Sequence, residues 1–160
     1  MAVTTSGLFL TTWIDIVDAT QLAIDLTLTT HRVALFNNTI TPNFSTDTAH
    51  GVAPYNANEV SGTNWPAGGV LLSAAAAGGT SVAPTVTENP TGTLMYDWAN
   101  DLSVASTTLS GARCALLYAD ALAGNNAIVL INFGADYSTN NGTFGLSPAA
   151  AGVFTLDLTP

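Results

Sequence analysis

Residues that could carry catalysis or bind a metal are few and lie far apart in this chain. The 160 residues include two histidines, His31 and His50, and one cysteine, Cys114. Neither histidine belongs to a His-Glu-x-x-His or similar pattern, so a zinc site would have to be assembled from scattered residues. Cys114 lies in the apolar run ARCALLY, which favours a buried thiol that acts as a small hydrophobe over a nucleophile. These spacings predict no catalytic residue, no bound metal and no cofactor.

Carboxylates offer a second kind of chemistry. Asp15 with Asp18, Asp97 with Asp101, and Glu59 could pair, or could hold calcium together with asparagine and backbone oxygens. An Asp-x-Asp-x-Asp calcium loop is missing from the sequence. We therefore interpret these side chains as solvated turn and cap residues.

The segment YNANEVSGTNWPAGGVLL, from Tyr55 to Leu72, concentrates turn residues and aromatics. It has neither the Gly-x-Ser-x-Gly elbow of a hydrolase nor the lysine of a phosphate loop. Gly68 and Gly69 allow the backbone to come close to another segment before a strand begins. Glu59 is the one charge here, and we expect it to accept hydrogen bonds from loop amides and so hold the long loop 38–66 in shape.

The three tryptophans Trp13, Trp65 and Trp98 admit two interpretations. Exposed tryptophan on a neutral polar surface could stack on sugars, as in lectin-like modules. Core or edge packing is the more usual role of tryptophan in a small β-domain. Both interpretations stay open at the level of sequence.

A short helix at the N-terminus and many short strands must position these residues. Apolar residues near one helical stripe predict a helix over Leu8–Val17, although its β-branched residues could favour extended structure instead. That stripe consists of Leu8, Phe9, Trp13, Ile16 and Val17. The segment HRVALFN predicts a central, largely buried strand, and residues 38–66 predict one long loop of the kind that is usually functional or disordered.

Short apolar segments separated by turn residues follow the loop. They are GVLLSA, TSVAPTV, GTLMYDWA, LSVASTTL, ARCALLYAD, AIVLINFG, GTFGLS and GVFTLDL. This spacing predicts a mainly β, antiparallel sandwich, formed by residues 1–160 as one domain with residues 1–30 as an N-terminal helix or arm. We expect GARCALLYAD and NAIVLINFG in the middle of sheets, and TFGLSPAAAGVFTLDL as a terminal hairpin with one wet face. The predicted core is Val33, Leu35, Leu71, Met95, Ala115, Leu117, Val129, Ile131, Phe133, Phe154 and Leu156.

Composition excludes some partners. Arg32 and Arg113 are the only positive side chains against 11 acidic residues, giving a formal net charge of -9. Nucleic acid and anionic membranes would be repelled, so neither is expected as a partner. Only 8% of residues are charged, compared with about 25% in ordinary domains. Such a neutral polar surface favours contact with neighbouring subunits, although solitary extracellular β-proteins share it.

Neither a secretory signal nor a membrane span is expected. The N-terminus MAVTTSGLFLTTW has no positive region and runs directly into acidic sequence. No apolar run approaches the roughly 18 residues of a span. We expect a soluble product made in a cytoplasm.

The order of segments along the chain is distinctive. HRVALFN is followed by a polar segment with Asp47 and His50, then by NEVSGTNWPAGGVLL, GARCALLYAD, LINFG and the closing NGTFGLSPAAAGVFTLDL. This order, and the Asn-Glu-Val-Ser-Gly-Thr box with its Gly-Gly pair, resemble a family of small structural proteins of tailed-bacteriophage virions. The similarity covers Leu8 to Leu158. It implies a structural role among head and tail proteins and supplies no catalytic residues.

The expected function is therefore a non-enzymatic virion protein, assembled in the host cytoplasm. We expect a capsid decoration subunit, bound to the major capsid protein as a homo-oligomer; the alternatives are a tail or baseplate subunit and a carbohydrate-binding module that contacts the host surface. The predicted contact residues lie in the N-terminal arm, the long loop and the box. They are Leu8, Phe9, Trp13, Phe44, Tyr55, Glu59, Trp65 and Pro66.

Overall fold

The computed structural model describes residues 2–18, 21–75 and 81–158, which fold into two antiparallel sheets and one short helix. The elements are β1 (Gly7–Leu8), α1 (Leu10–Val17), β2 (Arg32–Phe36), β3 (Glu59–Val60), β4 (Val70–Leu71), β5 (Pro84–Glu88), β6 (Thr93–Trp98), β7 (Leu102–Tyr118), β8 (Ala127–Leu146) and β9 (Phe154–Asp157). The large sheet has six strands in the order β1-β8-β7-β2-β3, and β4 also pairs with β2. The small sheet has the order β5-β6-β9. The mainly β, antiparallel prediction is confirmed.

Strands β7 and β8 are longer than the sequence predicted. LSVASTTL and ARCALLYAD form one strand, and AIVLINFG and GTFGLS form another. The glycines expected to end these strands instead occupy irregularities in their pairing: Gly111 and Gly134 have positive φ values of 71° and 75°. A bulge absorbs a residue in an unusual conformation without ending the strand.

The inner face of the large sheet packs against the small sheet. Val33 and Leu35 of β2 and Leu117 of β7 belong to the same buried cluster as Tyr96 and Trp98 of β6. Apolar side chains from two sheets therefore form one sandwich-like core, as the alternating pattern predicted.

The outer face of the large sheet carries a second core. It consists of Ala34, Phe36, Cys114, Leu116, Tyr118, Ala127 and Leu130, covered by Val3, Phe9, Ile40 and Tyr55. The cover comes from the N-terminal segment and the long loop. Residues 38–58, all of them described, contain one isolated bridge, Ala49 to Asn126, and neither strand nor helix. The loop is thus a packed cover, and β2 is buried on both faces as predicted. The predicted end of the loop at residue 66 is wrong, because Glu59–Val60 pairs with β2 as strand β3.

Most of the predicted core is buried. Val33, Leu35, Met95, Ala115, Leu117 and Val129 are at most 8% exposed. The other predicted members, Leu71, Ile131, Phe133, Phe154 and Leu156, are half-buried.

The N-terminal helix differs from its prediction. Gly7 and Leu8 form β1, which pairs with β8, and the helix begins only at Leu10. Its buried side chain is Thr12, whose hydroxyl donates to the Ala127 carbonyl at 2.6 Å. The predicted start at Leu8 is therefore wrong, and the predicted stripe is divided: Phe9 is buried, Trp13 and Ile16 are half-buried, and Val17 is exposed.

The C-terminal segment is not a hairpin. Its last strand, β9, pairs with β6, and β8 pairs with β7 in the other sheet. The chain crosses between the two sheets after Leu146. One wet face is nevertheless present, since exposed and half-buried residues alternate along β9. The predicted strand TSVAPTV begins at residue 80, outside the described residues, and its described part is strand only from Pro84.

Candidate functional site

Three of the predicted contact residues are packing residues. Phe9, Tyr55 and Trp65 are at most 1% exposed. Phe9 and Tyr55 meet edge to face beneath the long loop, with ring centroids 5.7 Å apart, and Trp65 packs edge to face on Phe144 at 5.3 Å. These rings have no surface to offer a partner, because the domain needs them to fill its two cores.

The other predicted contact residues are spread over the molecule. Leu8 and Phe44 are half-buried against the two cores. Trp13 is half-buried and packs edge to face on Phe154 at 5.9 Å, while Pro66 is exposed. The structure does not bring these side chains together into one surface.

Glu59 does what the sequence predicted and also joins a cluster that the sequence did not reveal. Its Oε1 accepts a hydrogen bond from the Gly68 amide at 2.6 Å. The Tyr118 hydroxyl donates to the Gly68 carbonyl at 2.6 Å, and an Arg32 guanidinium nitrogen donates to the Gly69 carbonyl at 3.0 Å. We call Glu59, Tyr118 and Arg32, with the two glycines that they hold, the glycine clamp.

Both glycines are required by the clamp. Gly68 and Gly69 have φ values of 81° and 76°, a region that L-residues avoid. A Cβ atom on Gly69 would also overlap the Val33 carbonyl of β2. The box therefore fixes the end of the long loop to strand β2 of the large sheet.

His50 completes the cluster. Its ring stacks on that of Tyr118, with centroids 4.4 Å apart and planes 8° apart, and its Nε2 lies 3.5 Å from Glu59 Oε2. A histidine beside a carboxylate is the usual beginning of acid–base chemistry. Here, however, Oε1 of Glu59 accepts a hydrogen bond from the Gly68 amide, and the Tyr118 hydroxyl donates to the Gly68 carbonyl of the same turn. Glu59 and Tyr118 therefore both hold the backbone of the turn at Gly68.

Burial shifts the pKa of three side chains in the direction that favours the neutral form. Burial raises the pKa of the Cys114 thiol to about 12, and burial next to Asp120 raises the pKa of Tyr118 to about 12. Burial lowers the pKa of His31, which is 1% exposed. A thiol or phenol with such a pKa is a poor nucleophile at neutral pH.

An apolar stripe on α1 is exposed. Leu10, Ile14 and Val17 are spaced four and three residues apart, so they share one face of the helix. They are 49%, 47% and 80% exposed. On the opposite side, hydroxyls of Thr11 and Thr12 donate to the carbonyls of Asp47 and Ala127. The predicted stripe grouped Val17 with Leu8, Phe9, Trp13 and Ile16, and the exposed α1 stripe was not predicted, although its spacing is visible in the sequence.

A concave groove lies along β8, on the part of the strand that extends beyond the outer core. It has a volume of about 440 Å³, and its lining includes Phe133, Tyr137 and Phe144. We call it the aromatic groove. Tyr137 is 52% exposed, whereas Phe144 is 6% exposed and forms the floor. Of the tryptophans for which sugar stacking was one of two interpretations, Trp65 is 0% and Trp98 is 5% exposed, as core packing requires.

Charge and ligand geometry add two observations. Both arginines are paired, Arg32 with Asp120 at 2.8 Å and Arg113 with Asp136 at 3.4 Å. Across residues 2–18, 21–75 and 81–158, His, Cys, Asp and Glu form no group of three that could hold a metal ion. In the same ranges, the length and apolar character needed to cross a membrane are not found in any helix.

Comparison with protein-family models, with curated proteins and with solved structures finds no match to this chain.

Proposed function

We propose that this chain is a non-enzymatic structural subunit of a tailed-bacteriophage virion, and that it binds the outer capsid shell as a decoration protein. The order of segments and the box described above motivate the class of protein. The exposed α1 stripe carries the proposal for how it binds. Leu10, Ile14 and Val17 present adjacent aliphatic side chains on a helix that is held to the domain by its other face.

Apolar contact of this size suits a repeated subunit. Complete burial of an aliphatic side chain stabilises a contact by roughly 1.5–3 kcal/mol, and two of these three are already about half-buried. One copy would therefore bind weakly. Many copies on a symmetric shell, or an oligomer that engages several sites, gain affinity through avidity without new contacts.

Electrostatics favour a protein partner over nucleic acid. The formal net charge is -9 and there is no lysine. Both arginines already contact carboxylates of this chain. Contacts with a phosphate backbone need positive side chains to neutralise it, so the neutral, apolar α1 stripe is the better candidate for adhesion to a shell.

The uses of the reactive side chains support a non-enzymatic role. His50, Glu59 and Tyr118 hold the end of the long loop. The Cys114 thiol is buried beneath that loop. In the described part of the chain, each of these four side chains therefore has a structural task.

Co-sedimentation tests the proposal. Purified protein, first sized by light scattering, is mixed with capsids and separately with tails from the phage that encodes it. We expect saturable binding to capsids that Ile14→Asp weakens at least tenfold. Val52→Asp is the matched control, because Val52 is 52% exposed and Ile14 is 47% exposed. Circular dichroism verifies that both variants fold.

The outcomes separate the candidate functions. Binding to tails alone would replace decoration with the tail or baseplate role. Binding to neither particle would overturn the virion proposal. Equal loss in both aspartate variants would show that added charge, and not the α1 stripe, controls binding.

A further inference from the structure

The lining of the aromatic groove is neutral throughout. Nine residues line it, and none is Asp, Glu, Lys, Arg or His. In a chain with 11 acidic residues, such a surface excludes ionic recognition as the source of affinity. Its volume of about 440 Å³ falls within the range of small-molecule sites, which are mostly apolar with a few polar groups.

Irregular strand pairing places Tyr137 at this groove. Between Asn132 and Tyr137, four residues of β8 stand opposite the single residue Arg113 of β7. Gly134 in that bulge has a φ of 75°. Bulges redirect side chains and occur often beside functional sites. Here the bulge is followed by a tyrosine whose side chain stands 52% exposed at the groove.

The walls of the groove are fixed by hydrogen bonds. The Ser138 hydroxyl accepts from the Gly111 amide at 3.0 Å, and the Thr139 hydroxyl accepts from the Leu109 amide at 3.1 Å. The Ser147 hydroxyl donates to Asp101 at 2.6 Å. Phe133 meets Tyr137 edge to face at 6.0 Å. Pre-organised walls reduce the entropy that a ligand must overcome.

Hydroxyl groups remain for a ligand. Among the described residues, neither Tyr137 nor Thr143 has a hydrogen bond from its hydroxyl group to another residue. Ser138 can still donate, and Ser147 can still accept, since each hydroxyl is both donor and acceptor. The groove thus combines exposed aromatic surface with uncharged donors and acceptors.

A second concavity continues the groove. Its volume is about 240 Å³, and it shares Phe133, Leu146 and Ser147 with the first. Trp98 and Pro148 line its far part. Together, the two adjoining concavities have room for a ligand larger than a single ring.

We propose that the aromatic groove is a binding site for neutral glycans, with one sugar ring on Tyr137 and a neighbouring ring toward Trp98. Sugars present polarised C–H groups, which favour the negative face of an aromatic ring, and hydroxyls, which need both donors and acceptors. Anions are disfavoured by the net charge of -9, and cations would find no carboxylate in the lining. A purely apolar ligand would leave the hydroxyls of Tyr137 and Thr143 buried and unpaired, which costs affinity.

Sugar binding would be independent of the virion role. The groove involves β8, whereas the proposed shell contact involves the α1 stripe on Leu10, Ile14 and Val17. A variant can therefore lose one property and keep the other. The rival occupant of the groove is an apolar segment of another protein subunit.

Titration by NMR tests the site. The probes are the methyl glycosides of glucose, galactose, mannose and N-acetylglucosamine, with disaccharides of each. We expect at least one neutral sugar to shift resonances of groove residues saturably, and its disaccharide to bind more tightly. N-acetylneuraminic acid, which is negatively charged, is expected not to bind.

Variants make the test specific. Tyr137→Ala should weaken binding at least tenfold. Tyr137→Phe and Thr143→Val, which each remove one hydroxyl, should weaken it by about fivefold, the equivalent of about 1 kcal/mol. Val52→Ala should leave the affinity unchanged, because Val52 is far from the groove residues in sequence and does not line the groove. Thermal melting verifies folding, which the exposed Tyr137 is not expected to alter strongly.

Three results would overturn the proposal. The first is the absence of saturable shifts with every neutral sugar. The second is sugar binding that survives Tyr137→Ala. The third is loss of capsid or tail co-sedimentation in Tyr137→Ala without any sugar binding by the parent protein, which would assign the groove to a protein contact.

Discussion

The two faces of the large sheet are covered in different ways. The inner face packs against regular strands, with Tyr96 and Trp98 of the small sheet in the same cluster as β2 and β7. The outer face is covered by the N-terminal segment and the irregular loop 38–58. A sheet distributes its attachment over a hydrogen-bonded ladder. A loop must be held at points, and here the glycine clamp and the rings of Phe9 and Tyr55 are those points.

This difference predicts that the two cores differ in stability. Segments with few backbone pairings open at lower free energy than the strands that they cover. We call the N-terminal segment and the loop 38–58 the outer cover. We expect substitutions in the inner core to lower the free energy of global unfolding, and substitutions in the outer cover to act first on its local opening.

The largest effect is expected from Trp65→Ala in the inner core. Trp65 is fully buried, and loss of such a ring costs about 3–5 kcal/mol. Chemical denaturation should show that the free energy of unfolding falls by this amount. Trp13→Ala is the control, since Trp13 is only half-buried, and an equal loss in both variants would contradict the assignment of Trp65 to the core.

A smaller effect is expected from Gly69→Ala in the glycine clamp. An alanine there has a positive φ and overlaps the Val33 carbonyl, which together should cost at least about 1–3 kcal/mol. Gly51→Ala is a matched control: its φ is 84°, but a Cβ there has nothing within 4 Å. The difference between the two free energies of unfolding isolates the close approach. Equal values would mean that the clamp does not press against β2.

Tyr118→Phe should have a modest effect that is confined to the outer cover. It removes the hydroxyl that donates to the Gly68 carbonyl, and such a bond contributes about 1 kcal/mol. Hydrogen exchange should speed up in residues 59–70 while the strands β5 and β6 stay unchanged. Equal acceleration in both regions would contradict the separate behaviour of the two covers.

Cys114 allows local opening of the loop to be compared with global unfolding without any mutation. Its thiol lies beneath the outer cover and its pKa is raised to about 12 by burial. An alkylating reagent at pH 8 should react only after the loop opens and the thiol regains its ordinary acidity. We expect labelling that depends weakly on denaturant, as local opening does. Labelling with the full denaturant dependence of global unfolding would show that both covers open together.

Much of the core between the two sheets could be predicted from the sequence. Alternating and continuous apolar runs placed β2, β6, β7 and β8, and six predicted core residues are buried. Strand ends were less predictable, because Gly111 and Gly134 occupy bulges and not turns. The pairing of β9 with β6 was missed, since adjacency in sequence suggested a hairpin and β6 lies more than 50 residues earlier in the chain.

The candidate sites were predicted less well. The hydrogen bond from Gly68 to Glu59 was expected, but the contact between His50 and Glu59 joins residues with no recognisable spacing. Tyr137 was not singled out at all. Its exposure follows from a bulge in β8, and bulges leave no clear pattern in apolar periodicity.

By itself, the sequence determined the mainly β class, a composition that is poor in charge but acidic in net charge, and the start of the long loop. These properties follow from composition and local pattern, which act at every residue. The tertiary structure alone decided which rings are core and which are exposed, that the loop covers a second core, and that α1 turns its apolar stripe outward. Those outcomes depend on contacts between distant segments, such as the hydrogen bond from the Thr12 hydroxyl to the Ala127 carbonyl, 115 residues away.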